Sequence, residues 1–180
     1  MKIWTALGVL ALAIIAALAI AQPTSTSPEP ASPDAITGTH VVFIVRHADT
    51  DPKVSKNPPL TAQGQARAEH LAEVLQDEEL GAIFVTNTAR SMQTAAPAAA
   101  GAGITPTIYL PMDAGGLADT INGLGTTNAT LVVAHSNTAP MIIAALGGPT
   151  LPDLEHDAFD HFYAVVLSRG RHVRTVKLRF

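Results

Sequence analysis

The chain has 180 residues, 47 % of them hydrophobic but only 4 % aromatic, so its core must be built from Ala, Val, Ile and Leu. A net charge of −4 with no basic block excludes nucleic-acid binding, which needs clustered cations facing phosphates. The absence of cysteine excludes disulfides, thiolate nucleophiles and cysteine metal sites.

The chain opens with Met1-Lys2 and an apolar run over residues 3–21, broken only by Thr5. Small residues at Ala19 and Ala21 occupy the two positions that a signal peptidase reads. Residues 1–21 are therefore expected to be a cleaved export signal, giving a periplasmic or secreted protein. A retained membrane anchor is the alternative, since the run is barely long enough to span a bilayer. Residues 22–39 carry four prolines among Ser, Thr and Ala and read as a flexible linker. The folded domain is expected over residues 40–180.

Within that domain, strand-like and helix-like segments alternate. Residues 41–45, "VVFIV", form a continuous run expected of a strand covered on both faces. Residues 61–76 read as a helix, with Thr61 as cap and Ala68, Leu71, Ala72 and Leu75 in one apolar stripe. A strand follows over 82–86 and a helix over 89–100, where Pro97 predicts a kink or early stop. Residues 105–110 read as a weaker strand and 117–124 as a short helix. Residues 131–134 are another buried strand, and 138–146 a helix ended by Gly147-Gly148. Residues 163–168 and 172–178 flank Arg169-Gly170-Arg171 as a terminal hairpin. This order predicts a three-layer α/β/α sandwich with a mostly parallel central sheet and a C-terminal β-hairpin.

Three of these strands end in polar residues. The first runs into Arg46-His47, the second into Thr86-Asn87 and then Arg90, and the third into His135-Ser136-Asn137. The carboxyl ends of parallel strands share one edge of a sheet, where ligands bind. Two arginines and two histidines would then converge on one pocket, provided the chain turns just after Arg46. Arginine donates bidentately to phosphate oxygens, and imidazole can act as nucleophile or donor. The pattern points to a phosphoryl group.

Over residues 40–180 the chain resembles the histidine phosphatase superfamily, which has the phosphoglycerate-mutase-like fold. Arg46-His47-Ala48 resembles the family's Arg-His-Gly signature, and "PLTAQGQARA" its Leu-Thr-x-x-Gly helix start. "TNTARSMQTAAP" resembles the segment bearing the second phosphate arginine, and "VVAHSNTAP" the one bearing the second histidine. The resemblance implies that His47 is a nucleophile that becomes a phosphohistidine. It further implies that Arg46, Arg90 and His135 hold the transferring oxygens, with no metal or other cofactor. The expected activity is a phosphohydrolase acting on a small phosphorylated molecule or a phosphoprotein. The short length resembles branches acting on phosphohistidine proteins or envelope sugar phosphates.

Ala48 and Thr86 stand where the family usually has Gly and Ser. The family's general acid has no clear equivalent, and the carboxylates that lie near enough in sequence are Asp49, Asp113 and Asp119. This gap motivates the alternative of a phosphate-binding module with little turnover. The remaining histidines, His40, His70, His156, His161 and His172, have no zinc-helix spacing and read as surface or supporting residues. Gly101, Gly103, Gly115, Gly116, Gly123 and Gly125 read as turns.

Overall fold

The computed structural model describes residues 38–54, 56–124 and 128–180. The expected export signal, residues 22–37 of the expected linker and Gly125 lie outside the described residues. Six strands form one sheet in the order β3-β2-β4-β1-β5-β6. The strands are β1 (Thr39–Arg46), β2 (Leu80–Val85), β3 (Thr107–Ile108), β4 (Ala129–Ala134), β5 (His161–Ser168) and β6 (Arg171–Arg179). The helices are α1 (Ala62–Val74), α2 (Ala89–Ala102), α3 (Ala114–Gly123) and α4 (Thr138–Ala145). β3, β2, β4 and β1 are parallel, while β5 and β6 run antiparallel at one edge.

Alternation along β1 explains why its sequence is apolar at every position. Val42 and Ile44 pack on one side with Leu117, Ile121, Ile142 and Ile143 of α3 and α4. Phe43 and Val45 pack on the other with Leu71, Ala95, Ala98 and Ala99 of α1 and α2. Both faces of the strand are covered, as its uninterrupted hydrophobicity requires. The three layers are those expected.

Four local expectations change. α2 runs through Pro97 to Ala102 and ends at Gly103, whose φ of 67° forms the left-handed cap. Burial of Ala95, Ala98 and Ala99 outweighs the hydrogen bond that proline removes. α3 begins at Ala114, because the Asp113 side chain caps it by accepting from the Gly116 amide. Its stripe of Ala114, Leu117, Ala118 and Ile121 carries Gly115, Gly116 and Gly123 into a helix, and Gly101 likewise lies in α2. β3 is only two residues long. His40 and His161 are buried rather than superficial, His40 through a 2.8 Å bond to Thr130.

The hairpin turn between β5 and β6 places Arg169 and Gly170 at φ of 51° and 71°, the left-handed geometry of a two-residue connection.

Candidate active site

The parallel register brings the three polar strand ends level. Val45 of β1 and Val85 of β2 both pair with Val133 of β4, so Arg46, Ala134 and Thr86 stand in the next row. The His47 amide continues the ladder by donating to the Ala134 carbonyl at 2.9 Å. The Ala48 amide then leaves it and donates to Thr94 Oγ1 of α2 at 2.9 Å. This is the turn the sequence required. It brings the His47 ring to 5.2 Å from the His135 ring, edge-on at 64°.

His47 is buried, and its Nδ1 donates to the carbonyl of Ala48 at 2.9 Å. A carbonyl only accepts, so the proton sits on Nδ1 and Nε2 carries a free electron pair. Burial pushes the His47 pKa down to about 3, the bond to Ala48 opposing and the charges of His135, Arg90 and Arg46 adding. His135 is lowered to about 4, mainly by burial and then by Arg90 and Arg46. Both rings are therefore neutral at physiological pH. The same interactions place Arg46 and Arg90 within electrostatic reach of both rings. The two rings meet at the strand ends, and the charges of Arg46 and Arg90 act on both.

Arg46 is buried and held in three ways. Nη1 donates to the carbonyls of Glu155 and His156, each at 2.9 Å, and the guanidinium carbon lies 4.1 Å from the centre of the Phe159 ring. Its Nε is buried without a hydrogen-bond partner among the described residues. An unpaired buried donor of this kind is costly unless an acceptor arrives.

The three candidate acids are not equivalent. Asp49 makes a 2.7 Å ion pair with Arg67 Nε. Its backbone is pinned by α1, since the Thr61 amide donates to the Asp49 carbonyl at 3.0 Å. A side chain at Gly64 would place Cβ 2.2 Å from that carbonyl oxygen, so only glycine allows α1 to lie this close. Asp113 is occupied as the cap of α3, and Asp119 is exposed on the same helix. No hydrogen bond or ion pair links any of the three to His47, His135 or either arginine among the described residues. The same residues contain no group of three or more His, Asp or Glu placed to hold a metal.

Two parts of the site were missed in the sequence. One is a hydroxyl cluster: His135 Nε2 lies 3.0 Å from Thr86 Oγ1, and Thr86 donates to Ser91 Oγ at 2.8 Å. The Thr86-x-Thr88-x-x-Ser91 spacing was its one available sign. The other is the segment 155–159, which supplies two carbonyls, Phe159 and the charge of Asp157 to Arg46. No periodicity marks that segment.

Residues 42–111 match the family model described as the histidine phosphatase superfamily (branch 1). Among solved structures, the protein histidine phosphatase SixA complexed with tungstate is similar at 21% identity, with a TM-score of 0.66, covering 77% of this chain and 96% of that one. A mycobacterial glucosyl-3-phosphoglycerate phosphatase matches at 14% identity and TM-score 0.61, covering 79% and 98%. A phosphoglycerate mutase from Bacillus anthracis matches at 14% and 0.58, covering 79% and 95%. No curated protein sequence matches the chain. At these identities the structural likenesses establish the fold.

Proposed function

Because the chain belongs to the histidine phosphatase superfamily, we propose that it is a phosphohydrolase whose phosphoryl group passes through His47. The His47 Nε2 pair attacks phosphorus, the bond to the leaving group breaks, and that pair departs with the leaving atom. Water then attacks the phospho-His47, and phosphate is released. Arg46 and Arg90 stabilise the charge spread over the phosphoryl oxygens, where phosphoryl transfer gains most of its catalysis. His135 stands across the same space from the nucleophile. The observation that carries this reading is the Nδ1–H bond from His47 to Ala48, which leaves Nε2 unprotonated among positive charges.

Substrates of this reading are phosphorylated small molecules or phosphoproteins. The likeness to a protein histidine phosphatase and to a glucosyl-3-phosphoglycerate phosphatase supports both classes. We further propose that turnover needs no metal, since two guanidinium groups supply the positive charge. The N-terminal apolar run supports action outside the cytoplasm.

Rapid quenching of the enzyme with a labelled aryl phosphate tests the core of the proposal. An acid-labile, alkali-stable adduct is expected on the wild type and none on His47→Ala. Undiminished turnover by His47→Ala would overturn it. Loss of activity on chelation, restored by a divalent ion, would remove the metal-independent part.

A further inference from the structure

The turn between β5 and β6 gathers charge. Five of the eleven Lys and Arg of the chain stand in residues 169–179, and residues 161–180 contain no Asp or Glu to offset them. No two of these cations adjoin, so the sequence shows no basic block, but the hairpin brings three of them to one tip. Arg171 pairs with Ser168 and Arg174 with Val166, and the register slips by one residue between the two pairs. Plain alternation would send Arg171 and Arg174 to opposite faces. The slip puts both on the face that carries Val41, Val166 and Val176, which are only half-buried. Val173, between the two arginines, is 60% exposed. Arg169 holds the turn at φ of 51°, a conformation that Asn or Gly takes at less cost than a long side chain. Arg169, Arg171 and Arg174 are exposed, and none of their guanidinium groups makes an ion pair or hydrogen bond among the described residues.

The chain enters the domain at this same tip. The Arg169 amide donates to the Gly38 carbonyl at 3.0 Å, and the next residue, Thr39, opens β1 opposite Ser168. The apolar residues 3–21 are therefore tied to the domain beside the three arginines. β1 runs away from the tip and reaches Arg46 after seven steps of about 3.3 Å, a distance of about 23 Å. We propose that Arg169, Arg171 and Arg174, around the exposed Val173, dock on an anionic lipid surface and turn the His47 end of the sheet away from it. Lipid phosphates supply the acceptors that the three guanidinium groups lack. The half-buried valines on the same face suit the boundary between headgroups and acyl chains. A second copy of the chain does not fit, because two β6 edges paired antiparallel would set cation against cation. An acidic protein segment would answer the charge, but the apolar run joined at Gly38 favours a bilayer. Docking in this way leaves the phosphoryl site open to soluble substrates and does not depend on the phosphohistidine reading.

Full-length protein reconstituted in vesicles tests this. The chain has no cysteine, so Val173→Cys carries a single environment-sensitive fluorophore. The apolar run is present in every sample, and a difference between vesicle types reads the tip alone. In vesicles of equal parts phosphatidylglycerol and phosphatidylcholine the emission should shift to the blue, and in phosphatidylcholine alone it should stay water-like. The balance between lipid-facing and water-facing states should differ by about 10²-fold, three cations at roughly fivefold each. The shift should vanish in 1 M salt, which screens charges beyond about 3 Å. It should also vanish in the variant Arg169→Gln, Arg171→Gln, Arg174→Gln, whose turnover of p-nitrophenyl phosphate should match wild type; the salt arm carries the test should that variant not fold. The same label at Met112→Cys, 67% exposed after β3 at the His47 end of the sheet, should stay water-like in both vesicles. Equal emission in the two vesicle types, a shift that survives salt, or a larger shift at Met112 overturns the proposal. A shift with soluble polyglutamate and none with phosphatidylglycerol assigns the tip to an acidic protein segment and overturns the lipid assignment.

Discussion

His47 and His135 follow register partners on neighbouring parallel strands. Arg46 pairs with Ala134, and one residue later the two rings meet edge-to-face at 5.2 Å. Parallel pairing places equivalent positions of two strands side by side, so two polar strand ends far apart in sequence become one site. The cost of this arrangement is electrostatic. Two imidazoles share a buried space with two guanidinium groups, and neither ring readily accepts a proton.

That cost predicts a pH-dependent stability. An unfolded histidine titrates near 6.5, while folded His47 and His135 titrate at about 3 and about 4. Between those values the unfolded chain binds more protons, so acid favours unfolding. Stability is fully present above about pH 6.5. It should fall below that pH by up to about 1.4 kcal/mol per unit for each ring. Thermal melts of the protein from pH 7.5 to 4.5 measure this. Replacing both rings by Gln should reduce the acid-side slope. An acid slope identical in wild type and double variant would refute the cause.

Gly64 predicts a sharp contrast between two glycines. Its missing Cβ is what lets α1 reach the Asp49 carbonyl, two residues beyond the nucleophile. Gly64→Ala should destabilise by about 1–3 kcal/mol, the range for overpacking, and should also lower kcat through displacement of the 47–49 turn. Gly101, inside α2, has nothing within 4 Å of a built Cβ. Gly101→Ala should stabilise by about 0.5–1 kcal/mol through helix propensity and leave kinetics unchanged. Denaturant melts and steady-state assays of the two variants check both halves.

Arg90 and Arg46 should fail differently when changed. Arg90 is part-buried, and no hydrogen bond ties its guanidinium to the described residues. Arg90→Ala should therefore fold normally and lose about 10²–10³ in kcat, the size of one lost charge-stabilising contact. Arg46 also holds the 155–159 segment through two carbonyls and Phe159. Arg46→Ala should lose stability as well as activity, because it leaves those carbonyls unpaired. Equal melting temperatures for the two variants would contradict this division.

Much of the site was legible because its residues end strands whose apolar runs are unmistakable. Arg46, His47 and His135 stand out as charge and imidazole directly after buried sequence, and Arg90 follows a few residues on at the start of α2. The helices were legible where a cap and a stripe agreed, as at Thr61 with Ala68 and Leu71. The contact of Thr86 with His135 was not, because a hydroxyl after a strand looks the same in sequence whether or not a histidine packs against it. Glu155 and His156 act through backbone carbonyls, which any residue supplies. Pro97 and the glycines of α3 misled for a different reason. Local propensity at each was outweighed by burial of the alanines, leucine and isoleucine around it.

The position of the carboxylates sets the last prediction. Asp49 is paired with Arg67, Asp113 caps α3, and Asp119 is exposed on that helix. His135, its pKa lowered to about 4 mainly by burial, is neutral at working pH and has no extra proton to give. The leaving group must then depart without a proton from any of these four, and an alkoxide departs poorly. Aryl phosphates, acyl phosphates and phosphoramidates should outpace alkyl esters by about 10²–10⁴, the usual worth of general-acid help. A series of substrates with graded leaving-group pKa should give a steep dependence of kcat/KM. Asp49→Asn, Asp113→Asn and Asp119→Asn should leave that slope unaltered, although Asp49→Asn also breaks its ion pair. Asp157, whose charge reaches Arg46, belongs in the same series. A shallow wild-type slope that steepens in one variant would identify the acid and overturn the view that departure is unassisted. A steep slope in all five proteins is the expected result, and it would explain why the nucleophile is kept so free of protons: with no acid to help the leaving group, the attacking pair on His47 has to be available at every pH at which the enzyme works.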